Sequence, residues 1–432
     1  MSDPNLLAAR TQMALSLGFH IVFAEIGIAM PLLMVLAEWR WHRTKDSVYL
    51  DLAKRWAKGS AVLFAVGAVS GTVLSFELGL LWPGFMELAG PIIGIPFSLE
   101  GFAFFTEAIF LGVYLYGWDR ISPRAHMAAG LIVAVSGAAS AVFVIMVNAF
   151  MNTPAGVTMQ AGQIVAIDPI AGMFNPSTVQ QALHMLLASY AATGLAVAGI
   201  HAALVLRRGD VPFHRYALAL ALCVGAPAAI LQPLSGDISA RNVARWQPIK
   251  LATLEGQFET EVGAPLRIGG WPDEDRARTR FAIEIPRALS LLAFHDPSAE
   301  VKGLKAFRRE MWPPIIPVHL GFQVMVGLGT AMALVSLWVA FVVFRKRRIV
   351  EQRLLLRCLA IIAPFGFIAT EAGWVVTEVG RQPWVLQGIL RTADAVTPMP
   401  GLVVPMIVFT VLYILLGAIV VAVMGSLVRS TA

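Results

Sequence analysis

The sequence predicts an all-α membrane protein of nine transmembrane helices, with the N-terminus outside, the C-terminus in the cytoplasm and one long outer loop. Three observations carry this. The 432 residues are 57% apolar and only 14% charged, with a mean hydropathy of +0.72, a composition that belongs to bilayers rather than to soluble domains. Nine apolar runs lie at roughly 11–38, 59–82, 94–117, 127–150, 178–205, 216–236, 316–344, 356–379 and 401–428, each long enough to cross about 30 Å of hydrocarbon at 1.5 Å per residue. The basic residues between these runs alternate from one side to the other.

The first run follows Asp3 and Arg10 and continues without a small-residue cleavage site, so it reads as a span rather than a removable signal. After it come Arg40, Arg43, Lys45, Lys54, Arg55 and Lys58; span 3 is followed by Arg120 and Arg124, span 5 by Arg207, Arg208 and Arg215, and span 7 by "RKRRIVEQRLLLR". The intervening stretches 83–93 and 151–177 hold no Lys or Arg, and 380–399 holds only Arg381 and Arg391. The positive-inside rule therefore fixes the orientation, and the net charge of +6 reflects topology rather than nucleic-acid binding. The chain divides into spans 1–6 (residues 1–236), an outer loop (237–315) and spans 7–9 (316–432). The loop carries twelve Lys and Arg, which does not contradict an outer position, because long loops translocate largely regardless of charge. A loop of this length is usually functional. No internal repeat suggests a transporter built from two related halves. Cys223 and Cys358 both sit within apolar runs, so any metal must be held by His, Met or carboxylate.

Ionisable groups inside a bilayer cost about 2.5–3.5 kcal/mol each on insertion scales, so each needs a reason. Within the runs these are His20, Glu25, Glu77, Glu100, Glu107, His184, His201, Glu371 and Glu378. His20, His184 and Met325 lie at similar depth, roughly 9–14 Å below the outer edge. Haem iron takes axial ligands of this type from a bundle core. Glu100 and Glu107 are two turns apart and share a helix face, as a proton path requires. The plainer alternatives are packing histidines, a methionine that fills core, and Glu25, Glu77 and Glu371 paired across helices. His126, His214, His295 and His319 lie in or beside loops and receive no role. These residues alone leave a membrane haem protein and a proton-coupled transporter both open.

The stretches "ARTQMALSLGFHIVF", "SLEGFAFFTEAIFLGVYLYGWDR" and "TEAGWVVTEVGRQPWVLQG" resemble subunit I of the cytochrome bd-type quinol oxidases, from Arg10 to about Arg391. The wording and the compact loop are most similar to the cyanide-insensitive branch. The resemblance implies a low-spin haem b, a high-spin haem b and a haem d or third haem b. It makes His20 an axial ligand of one high-spin haem, His184 and Met325 the ligands of the low-spin haem, and Glu378 the ligand of the other high-spin haem. Arg381 would pair with a haem propionate, and Trp374 would stand between haems. Lys250 and Glu255 would meet the quinol, ubiquinol or menaquinol, although without the resemblance they read as a surface ion pair. Ser140, Glu107 and Glu100 would bring cytoplasmic protons to the site where O2 becomes water, building a proton motive force without a pump. A haem-free membrane subunit II is implied, small single-span subunits are allowed, and the location is the bacterial cytoplasmic (inner) membrane, with no nucleic acid involved. Departures are Gln323, where many members carry Arg, and a spacing of seven rather than eight between Glu100 and Glu107. A transporter without haem predicts a colourless protein; a haem electron carrier that is not an oxidase predicts only low-spin spectra.

Overall fold

In a bilayer every backbone N–H and C=O must be satisfied within the segment, so apolar runs of this length fold as helices. The computed structural model describes residues 4–160 and 163–430. Its helices are α1 (Pro4–Thr44), α2 (Ser47–Leu81), α3 (Pro83–Tyr116), α4 (Pro123–Asn152), α5 (Pro169–Met173), α6 (Thr178–Arg208), α7 (Pro212–Trp246), α8 (Pro248–Leu254), α9 (Ala288–Phe294), α10 (Ile315–Phe344), α11 (Arg353–Ile362), α12 (Phe365–Val379), α13 (Thr392–Ala395) and α14 (Val403–Ser430). Among the described residues nine spans are long and apolar enough to cross a membrane: α1–α4, α6, α7, α10, the α11–α12 pair and α14. This is the expected number.

Three boundaries differ from the sequence reading. The stretch 83–93, expected as a loop, is the first part of α3: only Trp82 separates it from α2, and Pro83 sits at the first helical position, where its missing N–H costs nothing. Span 8 is two helices, because Pro364 cannot donate to the ladder and instead opens α12. α7 runs past residue 236 to Trp246, and its polar extension is tied to the start of α6 by Ser239 donating to Gln180 (2.6 Å) and Ser177 donating to Asn242 (2.7 Å).

α1 packs on α2, α4, α6 and α14, while α6, α7, α10, α11 and α12 form a second group of neighbours. Small residues set the closest approaches, as is usual between membrane helices. A Cβ at Gly194 of α6 would lie 2.6 Å from Gly225 Cα of α7. At one end of the bundle the basic residues gather with aromatic rings: the Lys54 ammonium sits 5.1 Å from the Trp118 ring centroid.

The opposite end carries the connecting loops. Strands β1 (Val157–Gln160) and β2 (Gln163–Ile167) form a hairpin there. The long loop holds β3 (Glu261–Val262), β4 (Leu266–Ile268), β5 (Trp271–Asp273), β6 (Arg278–Arg280), β7 (Ile283–Ile285) and β8 (Glu300–Val301), paired antiparallel as β3 with β8, β4 with β7 and β5 with β6. β9 (Trp384–Leu386) and β10 (Leu390–Arg391) close the turn after α12. Trp82, Phe85, Ile93, Phe150 and Leu386 pack into one apolar cluster that seals this end.

Candidate functional site

One line of the interior's polar residues runs along α4. Starting near its middle, Gly137 leaves room for the Glu107 carboxylate, whose oxygens would lie 3.2 Å from a Cβ at that position. One turn on, Ser140 donates to Glu100 at 3.2 Å. Two turns further, Asn148 donates to Glu378 of α12 at 2.5 Å. Asn152 donates to the Asn148 side chain at 3.0 Å and accepts from Lys250 Nζ at 2.6 Å. From Gly137 to Asn152 the helix rises about 22 Å at 1.5 Å per residue. A single helix face thus contacts Glu107, Glu100, Glu378 and Lys250 in sequence.

Glu378 is also gripped by Arg381, which is buried and reaches both carboxylate oxygens. The structure pairs Arg381 with the carboxylate one turn before it, and Trp374 lies one turn before Glu378 on the same helix.

His20 of α1 turns towards α2, where its Nδ1 lies 3.0 Å from Ser70 Oγ and where a Cβ at Gly71 would approach its ring to 3.0 Å. His184 of α6 turns to α7, its Nδ1 lying 2.9 Å from Ser235 Oγ and its Nε2 3.2 Å from Gln232 Nε2. Met325 of α10 turns to α12, where a Cβ at Gly373 would lie 3.0 Å from its sulfur. The imidazoles and the thioether are therefore held in the seams between helices.

Glu25 and Glu371, read as carboxylates paired across helices, form no ion pair among the described residues. Glu25 is fully buried with the Thr370 side chain as its facing donor, and Oε1 of Glu371 lacks a hydrogen-bond partner. Leaving such groups unmet in an apolar interior is expensive. A Cβ at Gly18 of α1 would come 3.2 Å from Glu371 Oε2, so both carboxyls look into the space between α1 and α12. Glu77 accepts from Gln12 (2.8 Å) and Ser16 (2.9 Å), again with no ion pair among the described residues. Unmet polar atoms between α1 and α12, together with side chains that leave single ligands in helix seams, fit a large prosthetic group that brings its own nitrogen donors. Among the described residues no three His, Cys, Asp or Glu converge on a bare metal site.

Lys250 and Glu255 do not form the exposed ion pair that their spacing alone suggests. Both are buried, at 4% and 2% exposure, and no ion pair joins them among the described residues. Lys250 points inward to Asn152 and the Thr377 carbonyl. Its ammonium is driven down to about 7 by burial and by Arg381, with Glu378 opposing. The Glu255 carboxyl is pushed up to about 7 by burial, partly offset by Arg267. The loop around them is clamped by α10: Gln323 accepts from Gly269 N (2.9 Å) and donates to Arg267 O (3.0 Å), and the His319 ring lies 2.7 Å from Leu254 O.

Residues 8–432 match the model of the family described as cytochrome bd terminal oxidase subunit I. The chain belongs to that family. It is 42% identical over 97% of its length to a Bacillus subtilis (strain 168) protein named "Putative cytochrome bd menaquinol oxidase subunit I", covering 96% of that protein. It is 28% identical over 90% of its length to cytochrome bd-II ubiquinol oxidase subunit 1 of Escherichia coli (strain K12), covering 88% of it. The bd oxidase structure from Geobacillus thermodenitrificans superposes with a TM-score of 0.92 at 39% identity, over 99% of both chains.

As a cytochrome bd subunit I, the chain is part of a respiratory terminal oxidase, an enzyme class that carries haem. The sequence pointed to Glu100, Glu107 and Glu378 but not to the buried Glu38, nor to Asn148 and Asn152. The two asparagines carry no charge, so a search for ionisable groups passes over them. Their signal was available all the same, as two amides four residues apart, one turn, in an apolar run.

Proposed function

We propose that this subunit oxidises membrane quinol at its loop end and supports reduction of O2 to water with protons drawn from its basic, cytoplasmic end. His184 and Met325 would hold the low-spin haem b, His20 one high-spin haem and Glu378 the other, with a haem d or third haem b completing the set. Bound there, haem supplies one-electron transfer and the centre for dioxygen reduction. The names of the relatives supply quinol as substrate, menaquinol or ubiquinol.

The observation that carries this reading is the polar line on α4. Oxygen reduction consumes protons and quinol oxidation releases them, so an apolar bundle needs separate routes for each. Glu107 and Glu100, with Ser140 bonded to Glu100, are spaced to pass protons along α3 and α4 towards the centre beside Glu378. Glu255, held near neutrality, is suited to accept a proton from quinol. Lys250 links the loop to the amides that orient Glu378. A haem-free subunit II in the same inner membrane completes the enzyme, and the charge separation follows from placing release and uptake on opposite faces.

The deciding experiment is absorption spectroscopy of the purified complex, reduced minus oxidised and with carbon monoxide. Low-spin b bands with a carbon monoxide-binding high-spin component are expected. A chlorin band in the far red assigns haem d, and its absence makes the enzyme an all-b variant. A colourless assembled complex overturns the proposal.

A further inference from the structure

The Glu100–Glu107 ladder has a third rung of a different kind. Seven residues beyond Glu107 on the same face of α3 stands Tyr114, fully buried, with its hydroxyl turned to the Glu38 carboxylate. Glu38 of α1, at the basic end of the bundle, is 1% exposed. Its Oε1 lies 2.9 Å from His126 Nδ1 and 3.4 Å from His42 Nε2. His126 is 3% exposed, and its Nε2 lies 2.9 Å from the Tyr114 carbonyl. A carbonyl only accepts, so that nitrogen carries a proton. The other ring nitrogen faces a carboxylate oxygen, and their contact requires one further proton, on His126 or on Glu38. The pair therefore stores one exchangeable proton.

Beside Glu107 lies a cavity of about 10 Å³, lined by Gly27, Pro31, Ser60 and by Leu111 and Val133, which pack in one cluster with Tyr114. That is the room of about a single water. The Ser60 hydroxyl there is buried and unpartnered. On the other side, His42 and Arg124 border an open surface hollow of about 340 Å³. The charged groups facing the pair are His42, Arg124 and Lys54, the last through the Trp118 ring that lies 3.9 Å from the His126 ring.

The geometry points to Glu38 and His126 as the cytoplasmic intake of the proton route, passing protons from His42 through the Tyr114 hydroxyl and the Ser60 cavity to Glu107. A proton arrives on the Glu38–His126 pair from the surface hollow. It moves on towards Glu107 as the pair is reprotonated from the cytoplasmic hollow, so the store is restored each cycle with no change of net charge. This rests on the oxidase reading and on the orientation given by the basic loops.

The test uses the full complex with its partner subunit, carrying Glu38→Gln or Tyr114→Phe. Reduced enzyme is mixed with O2 while a pH dye in the medium follows proton uptake. Both variants should take up protons about 100-fold more slowly, the lower end of what positioned acid–base groups contribute. Haem content, carbon monoxide binding and the KM for quinol should stay unchanged, which a merely structural role would not produce. Wild-type uptake rates in both variants overturn the inference. If Glu38→Gln loses haem, Tyr114→Phe decides, since it removes one oxygen and keeps the ring: slowed uptake supports the route and an unchanged rate overturns it. A wild-type complex that consumes no O2 overturns the oxidase reading, and this one with it; an active wild type with unaffected variants overturns this one alone.

Discussion

Glu255 places its carboxyl under the loop with one oxygen unpartnered, and burial holds that group up at about 7. The sign of its effect on activity follows directly. Below about pH 7 the side chain is a neutral acid and cannot take a proton from quinol; above it, the carboxylate can. Quinol-driven turnover should therefore climb as pH rises through about 7, and Glu255→Gln should flatten that limb. The same rising limb in the variant would remove Glu255 from quinol chemistry. Glu107 tests the other half of the reaction. It lies over Gly137 with a small cavity on its basic side, and Glu107→Gln keeps its shape while removing the exchangeable proton. Oxygen consumption should drop by about 100-fold, in line with the contribution of a positioned acid–base group, with haem content retained. Normal turnover in this variant would end the proposed proton role.

Among the elements, α12 ties the candidate sites together, because Glu371, Gly373, Trp374 and Glu378 all belong to its 15 residues. Gly373 gives Met325 its place, since a Cβ there would lie 3.0 Å from the sulfur. Gly373→Val should push the thioether aside, an overpacking that costs about 1–3 kcal/mol. The expected result is loss of the low-spin spectrum with the carbon monoxide-binding component preserved; an unaltered low-spin band would mean that Met325 is not a ligand. The helices themselves were legible in the sequence, because hydropathy and charge alternation are local signals that bilayer physics enforces. The break at Pro364 was also written there, but a continuous apolar run concealed it. The inward turn of Lys250 was not legible. It depends on α4, almost a hundred residues earlier in the chain, presenting Asn152 to the loop, and on tertiary contacts that no local pattern encodes. His126 was set aside for a related reason: its position near a loop suggested exposure, whereas Glu38 and the Tyr114 backbone enclose it.

For the whole molecule, the proposed generation of a proton motive force depends on which face is which. Glu255 and the long loop lie at one end of the bundle; Glu38, His126 and the basic residues Arg40, Lys54, Arg120 and Arg124 belong to the other. If the basic end is cytoplasmic, quinol protons leave outside while protons for water formation come from within, and each electron delivered separates charge without any moving part. Inverting the molecule would reverse that sign and abolish the benefit. The orientation can be read with single cysteines placed in a background where Cys223 and Cys358 are replaced by alanine. Asp275→Cys lies in the exposed turn between β5 and β6, and Lys346→Cys in the exposed basic turn after α10. In intact spheroplasts a membrane-impermeant maleimide should label position 275 at once and position 346 only after lysis. The opposite pattern would place quinol chemistry on the cytoplasmic face and leave this geometry unable to generate a proton motive force.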